Sequence, residues 1–151
     1  MKAVLQRVLK PATVKVNNRI EGHIEKGLVV FIGVEELDNI EDIKWLARKI
    51  INMRIFSDAE GKMNLSLIDI EGELLVISQF TLYASTKKGN RPSFLKSAPP
   101  KYAEEMYNKF IDHIMSDYKV KVERGVFGGD MKVEFTNDGP VTIIIDTKNK
   151  A

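Results

Sequence analysis

The opening of the chain commits it to short strands joined by turns. Ala3–Leu9, Ala12–Val16, Ile20–Ile24 and Leu28–Val34 read as strands, with Asn17-Asn18 and Lys26-Gly27 as two of the turns between them. The period then changes: Ile40, Ile43, Leu46, Ala47, Ile50 and Ile51 recur at helical spacing. Asp38 stands as a candidate N-cap, with Glu41 three residues on, so a helix is expected over Asn39–Asn52. Strand signals resume at Arg54–Phe56 and Glu73–Tyr83, and a polar stretch, Ala84–Ser97, follows. Pro99-Pro100 opens a second helix, since proline is tolerated in the first turn; Ala103, Met106, Tyr107, Phe110, Ile111 and Ile114 form its apolar face. Strands are expected again at Lys119–Glu123, Met131–Thr136 and Val141–Asp146. Strands and helices are grouped rather than strictly alternating. The expected fold is therefore α+β: a single domain over residues 1–151 with a largely antiparallel, barrel-like β-sheet core and two main helices.

Composition removes several function classes. The longest apolar stretch, Gly27–Val34, is far shorter than the roughly 20 residues that span a bilayer. MKAVLQRVLK carries charges where a signal peptide needs its apolar core, so the expected location is the cytoplasm, with no membrane partner. Absence of cysteine excludes disulfides, thiol nucleophiles and thiolate zinc sites. The net charge of +2 is too small to argue for nucleic acid, but its placement is uneven. From Leu74 to Ala103 there is no Asp or Glu, while Lys87, Lys88, Arg91, Lys96 and Lys101 fall within that span. Such a run is either a solvated basic loop or a surface for phosphates.

Catalytic signals of the usual kinds are missing. The two histidines, His23 and His113, lie in an expected hairpin strand and beside an apolar helix face, which makes a histidine-based triad a poor explanation. Asp58, Glu60, Asp69, Glu71 and Glu73 match no metal-ligand spacing, so no metal and no cofactor are expected. The stretch VISQFTLYAS is different: Ser78, Gln79 and Thr81 interrupt an apolar run with hydroxyl and amide groups and no charge. In a strand, Gln79, Thr81 and Tyr83 would share one face. Those groups either bond neighbouring backbone or form a binding surface of neutral donors and acceptors. Between two strand signals, TNDGPVTI contains the turn dipeptide Asp138-Gly139 followed by Pro140.

MKAVLQRV, SQFTLY at 78–83, KKGNRPSF at 87–94, VFGGDM at 126–131 and NDGPVT at 137–142, taken in order over nearly the whole chain, closely resemble the bacterial-type D-aminoacyl-tRNA deacylases. One departure is Gly129, where the resemblance leads to alanine. The resemblance implies a homodimer whose partner is tRNA rather than DNA. Its implied activity is hydrolysis of the ester joining a D-amino acid, or mischarged glycine, to the terminal adenosine. Ser78, Gln79, Phe80 and Thr81 would then line the pocket. Gly139 and Pro140, joined in cis, would select chirality across the subunit interface, supported by Arg7, Met131 and Asn137. Lys87, Lys88, Arg91 and Lys96 would meet the tRNA. Two rivals remain at this stage: a non-catalytic nucleic-acid-binding module, and a small-molecule hydrolase with a serine or threonine nucleophile.

Overall fold

In the computed structural model, which describes residues 1–150, three layers stack around a central sheet. The strands are β1 (Lys2–Val8), β2 (Ala12–Val16), β3 (Arg19–Ile24), β4 (Gly27–Gly33), β5 (Phe56–Ser57), β6 (Met63–Leu65), β7 (Glu73–Ser78), β8 (Val122–Arg124), β9 (Met131–Glu134) and β10 (Thr142–Asp146). The helices are α1 (Ile40–Asn52) and α2 (Pro100–Asp117). The central sheet runs β10-β1-β4-β7-β8, and a smaller sheet runs β3-β2-β9.

Both helices lie on one face of the central sheet. Their buried stripes, Ile43, Leu46, Ile50 and Ile51 from α1 and Met106, Phe110, Ile111 and Ile114 from α2, pack in one cluster with Leu5, Leu28, Val30, Leu74 and Val76. The opposite face of the same strands presents Val29, Leu75 and Ile77 to Ala12, Val14 and Ile24 of the smaller sheet. Strands covered on both sides must be apolar on both sides, which accounts for the unbroken runs in β4 and β7.

Three expectations need correction. The core is α+β and largely antiparallel, but β4–β7 and β7–β8 are parallel, because α1 and α2 provide the crossovers that return the chain in the same direction. No closed barrel forms among the described residues: the central sheet ends at β10 on one side and β8 on the other. The expected strand through Tyr83 stops at Ser78, and Phe80–Tyr83 turns as a 3-10 helix.

The start of α1 also differs by one residue. Asn39, not Asp38, is the cap: its side chain accepts from the Glu41 N–H at 2.9 Å, and Asp42 accepts from the Asn39 N–H at 2.9 Å. Asp38 is instead buried, where it takes the Met1 ammonium at 2.5 Å. Burial alone would push the Asp42 carboxyl upward, but the Thr147 hydroxyl, the Asn39 N–H and Lys148 outweigh it and bring it to about 2. A native value below the ordinary 3.8 means stability that is present above pH 4 and lost as pH falls toward 2. Urea titrations at pH 5, 3 and 2 are expected to show a loss of about 2 kcal/mol from this group that Asp42→Asn lacks.

Candidate active site

A cavity of about 730 Å³ opens where the C-terminal ends of β4 and β7 meet the start of α2 and the segment before β9. Ser78, Gln79 and Phe80 form one wall; Phe127, Gly129 and Met131 form another, and Pro99 and Pro100 close an end. The volume lies within the range of ligand pockets. Among its lining residues there is no Asp, Glu, His, Lys or Arg. Tyr107 alone can titrate, and burial pushes its hydroxyl up to about 12 while that hydroxyl donates to the Val76 carbonyl at 2.7 Å. It stays neutral at working pH.

The polar wall is made by the turn. After Ser78 the Gln79 N–H still follows the sheet, donating to the Ile32 carbonyl at 2.7 Å, and the chain then coils so that Gln79 O receives the Leu82 N–H at 3.2 Å. The first N–H groups of such a coil have no acceptor within it. Among the described residues those of Phe80 and Thr81 have no partner anywhere in the chain. Gln79 Nε2 donates to Thr81 Oγ1 at 2.5 Å, and Thr81 itself is exposed beside the cavity rather than among its lining residues. Phe80 packs edge-on against Phe94 at 5.0 Å between ring centroids, forming an apolar lip.

The 137–141 loop stands elsewhere on the chain. The Gly139–Pro140 peptide is cis, and both residues are exposed and away from this cavity in the single chain. Arg7, buried on β1, braces the loop: Nη2 donates to Asp138 Oδ2 at 3.0 Å, Nε to Asp138 O at 3.3 Å and Nη1 to Ile55 O at 2.8 Å. Asn137 closes it from within, its side-chain oxygen accepting from the Val141 N–H at 3.2 Å and its amide donating to Thr142 at 2.9 Å.

Lys87, Lys88, Arg91 and Lys96 are exposed on the segment that follows the turn, near the Ser85–Ser93 bridge. His23 lies 2.9 Å from Glu25 and His113 meets Tyr118 edge-on; neither reaches the cavity. Among the described residues no cluster of His, Asp or Glu could hold a metal. At Gly129 an added Cβ would lie 3.2 Å from Val126, so the glycine relieves a tight turn while Met131 keeps its place in the wall. Sequence reasoning did not assign Phe94, Tyr107 or Phe127 to the cavity. Phe94 and Phe127 sit inside motifs already quoted, whereas Tyr107 looked like any other residue of the α2 apolar face.

A neutral pocket with unpaired main-chain donors and no side-chain base suits a hydrolase for an already activated ester, which needs positioning and oxyanion stabilisation more than proton abstraction. The family model described as D-Tyr-tRNA(Tyr) deacylase matches residues 4–146. The chain is 53% identical to the D-aminoacyl-tRNA deacylase of Flavobacterium psychrophilum over 99% of both chains, and 55% identical to that of Fervidobacterium nodosum over 98% of both. It therefore belongs to the D-aminoacyl-tRNA deacylase family, hydrolases acting on the esters of charged tRNA. Among solved structures, the c-Myc DNA Unwinding Element Binding Protein superposes with a TM-score of 0.90 at 38% identity, covering 97% of this chain and 98% of that one. A probable eukaryotic D-amino acid tRNA deacylase shares the fold, with a TM-score of 0.78 at 18% identity over 95% of this chain and 98% of the other.

Proposed function

We propose that the chain removes D-amino acids, and glycine mischarged on tRNA such as that for alanine, from the terminal adenosine, and that the RNA supplies the reactive oxygen. The carrying observation is the cavity: Phe80 in its wall and Thr81 beside it carry free main-chain N–H groups, and no ionised side chain lines it. An ester bound there receives oxyanion stabilisation from the main chain, while the neighbouring ribose 2′-hydroxyl assists attack. Ser78, Gln79 and Phe80 position the aminoacyl adenosine. Thr81 bonds Gln79 and has no base beside it, which speaks against a covalent threonine.

Chirality falls to Gly139 and Pro140, reaching from one subunit into the cavity of another. Their main-chain carbonyls accept the ammonium and α-hydrogen, leaving no room for an L side chain; glycine, with none, enters. The exposed tip and its Arg7 and Asn137 bracing support this role. An exposed apolar side chain on the sheet edge supports the homodimer. Ile144, 75% exposed on the β10 edge, lies opposite Val4, which in turn faces Phe31, beside the strand end that carries the loop. The site of action is the cytoplasm, where tRNA is charged, and no helix among the described residues is long and apolar enough to cross a membrane.

The test is to incubate the protein with D-tyrosyl-tRNA, L-tyrosyl-tRNA and free D-tyrosine ethyl ester. Release from the D-charged tRNA alone is expected. Hydrolysis of the free ester at a comparable rate would make it a small-molecule esterase, and binding without release would make it a carrier.

Lys87, Lys88, Arg91 and Lys96 serve as the approach surface for acceptor-stem phosphates. Replacing all four with alanine is expected to weaken tRNA binding and to flatten the log–log salt dependence by about one unit of slope per lost phosphate contact. An unchanged slope removes the assignment.

A further inference from the structure

Gly33, the last residue of β4, and Tyr83, the last of the 3-10 turn, meet beneath the SQFTL segment without lining the cavity. A Cβ at Gly33 would lie 3.1 Å from the Gln79 carbonyl oxygen and 3.1 Å from Cδ2 and Cε2 of the Tyr83 ring. Such approaches are tighter than a side chain ordinarily makes, so a neighbour would have to shift by a few tenths of an ångström. The Gln79 main chain is thus held at both of its peptide units. Its N–H is tied to Ile32 at 2.7 Å, and its carbonyl, which starts the turn, rests over Gly33.

Tyr83 is only 4% exposed, with the Lys2 ammonium 4.8 Å from its ring centroid. Its hydroxyl is the one buried side-chain polar atom among the described residues with no hydrogen-bond partner. An unpaired buried hydroxyl is unfavourable, and phenylalanine would avoid it. Burial, reinforced by the carboxylates of Asp38, Glu35 and Asp146, pushes that hydroxyl far above the usual tyrosine range, so it neither ionises nor shuttles protons. What the residue gives the site is its ring.

We infer that Gly33 and the Tyr83 ring are positioning residues, which together set the height of the Gln79–Thr81 main chain against the cavity so that the free Phe80 and Thr81 N–H groups meet the ester carbonyl. This rests on the reading of those N–H groups as oxyanion donors. Neither residue touches substrate; both act through the turn. Displacements well under an ångström are enough to matter, since misplacing a reacting group by about 1 Å can cost roughly 100-fold in rate.

Three variants, Tyr83→Leu, Tyr83→Phe and Gly33→Ala, separate the possibilities. The readouts are the single-turnover release of tyrosine from D-tyrosyl-tRNA at saturating protein, and the Kd for an amide-linked D-tyrosyl-tRNA that cannot be hydrolysed. Tyr83→Leu and Gly33→Ala are expected to slow release about tenfold or more with Kd changed less than about twofold, while Tyr83→Phe stays within about twofold of the parent in both. A folded Tyr83→Leu protein that releases tyrosine at the parental rate overturns the inference. So does a Tyr83→Phe variant as slow as Tyr83→Leu, which would assign the effect to the hydroxyl, and so does a loss confined to Kd. Should Tyr83→Leu fail to fold, Gly33→Ala decides in the same terms: slower release at unchanged Kd supports the inference and the parental rate overturns it. An inactive parent protein would sink the oxyanion reading and the inference together, whereas an active parent with indifferent variants sinks the inference alone.

Discussion

Arg7→Met is expected to lower stability by about 3 kcal/mol and, in the same variant, to blunt discrimination between D- and L-charged tRNA. Two losses make up the first figure. The Ile55 carbonyl, which takes Nη1 at 2.8 Å in a buried setting, is left without a donor, worth about 1–3 kcal/mol. Asp138 loses its partner at 3.0 Å, but its carboxylate is 41% exposed and regains water, so the cost stays below the 3–5 kcal/mol of a fully buried pair. The second effect follows from what remains. Main-chain bonds from the Asp138 N–H to Arg7 O at 2.8 Å and from the Arg7 N–H to Val141 O at 3.1 Å still anchor the loop base and Asn137 still bonds Val141 and Thr142, but the bonds that Arg7 makes to the Asp138 carboxylate and carbonyl are gone. A urea titration reads the first effect, as a midpoint lowered by roughly 1–3 M at ordinary slopes. Paired release assays on D- and L-tyrosyl-tRNA read the second. An unchanged midpoint with unchanged selectivity would remove Arg7 from the account.

How far the fold could be read in advance depended on where its determinants lie. The amphipathic face of α1 is written in consecutive residues, and the structure starts it at Ile40 and ends it at Asn52, within one residue of expectation. Choosing between Asp38 and Asn39 as its cap was beyond local reading, because both are good caps and the Met1 ammonium, 37 residues away, claims Asp38. The turn after Ser78 was hidden for a related reason. Phe80, Leu82 and Tyr83 continue an apolar pattern that suits a strand, whereas in the coil Tyr83 is buried against Gly33, a contact no local pattern announces. The parallel pairing of β7 has a sequence mark, since unbroken apolar runs such as Leu74–Ile77 belong to a sheet covered on both faces. At the site, motif likeness pointed to Ser78, Gln79, Phe80 and Thr81 as one lining; the structure brings the first three to the cavity, leaves Thr81 beside it, and adds Met131, Phe94, Tyr107 and Phe127, which come from segments whose meeting no local pattern encodes.

The catalytic proposal makes two opposite demands on two hydroxyls. Thr81 Oγ1 is held by Gln79 at 2.5 Å, lies outside the cavity lining and has no ionisable neighbour there to take its proton. The ribose 2′-hydroxyl is adjacent to the ester in any charged tRNA, so under the proposed mechanism its assistance is intramolecular and large. General acid–base assistance of this kind is worth about 100- to 10,000-fold. The direct measurement is single-turnover release of tyrosine from D-tyrosyl-tRNA ending in adenosine or in 2′-deoxyadenosine, each with the parent protein and with Thr81→Ala. Thr81→Ala is expected to retain release within about tenfold on the ribose substrate, and the deoxy substrate to be slowed at least about 100-fold with either protein. Near-complete loss in Thr81→Ala with tRNA binding intact, together with normal turnover of the deoxy substrate, would contradict the catalytic proposal and make the threonine the nucleophile.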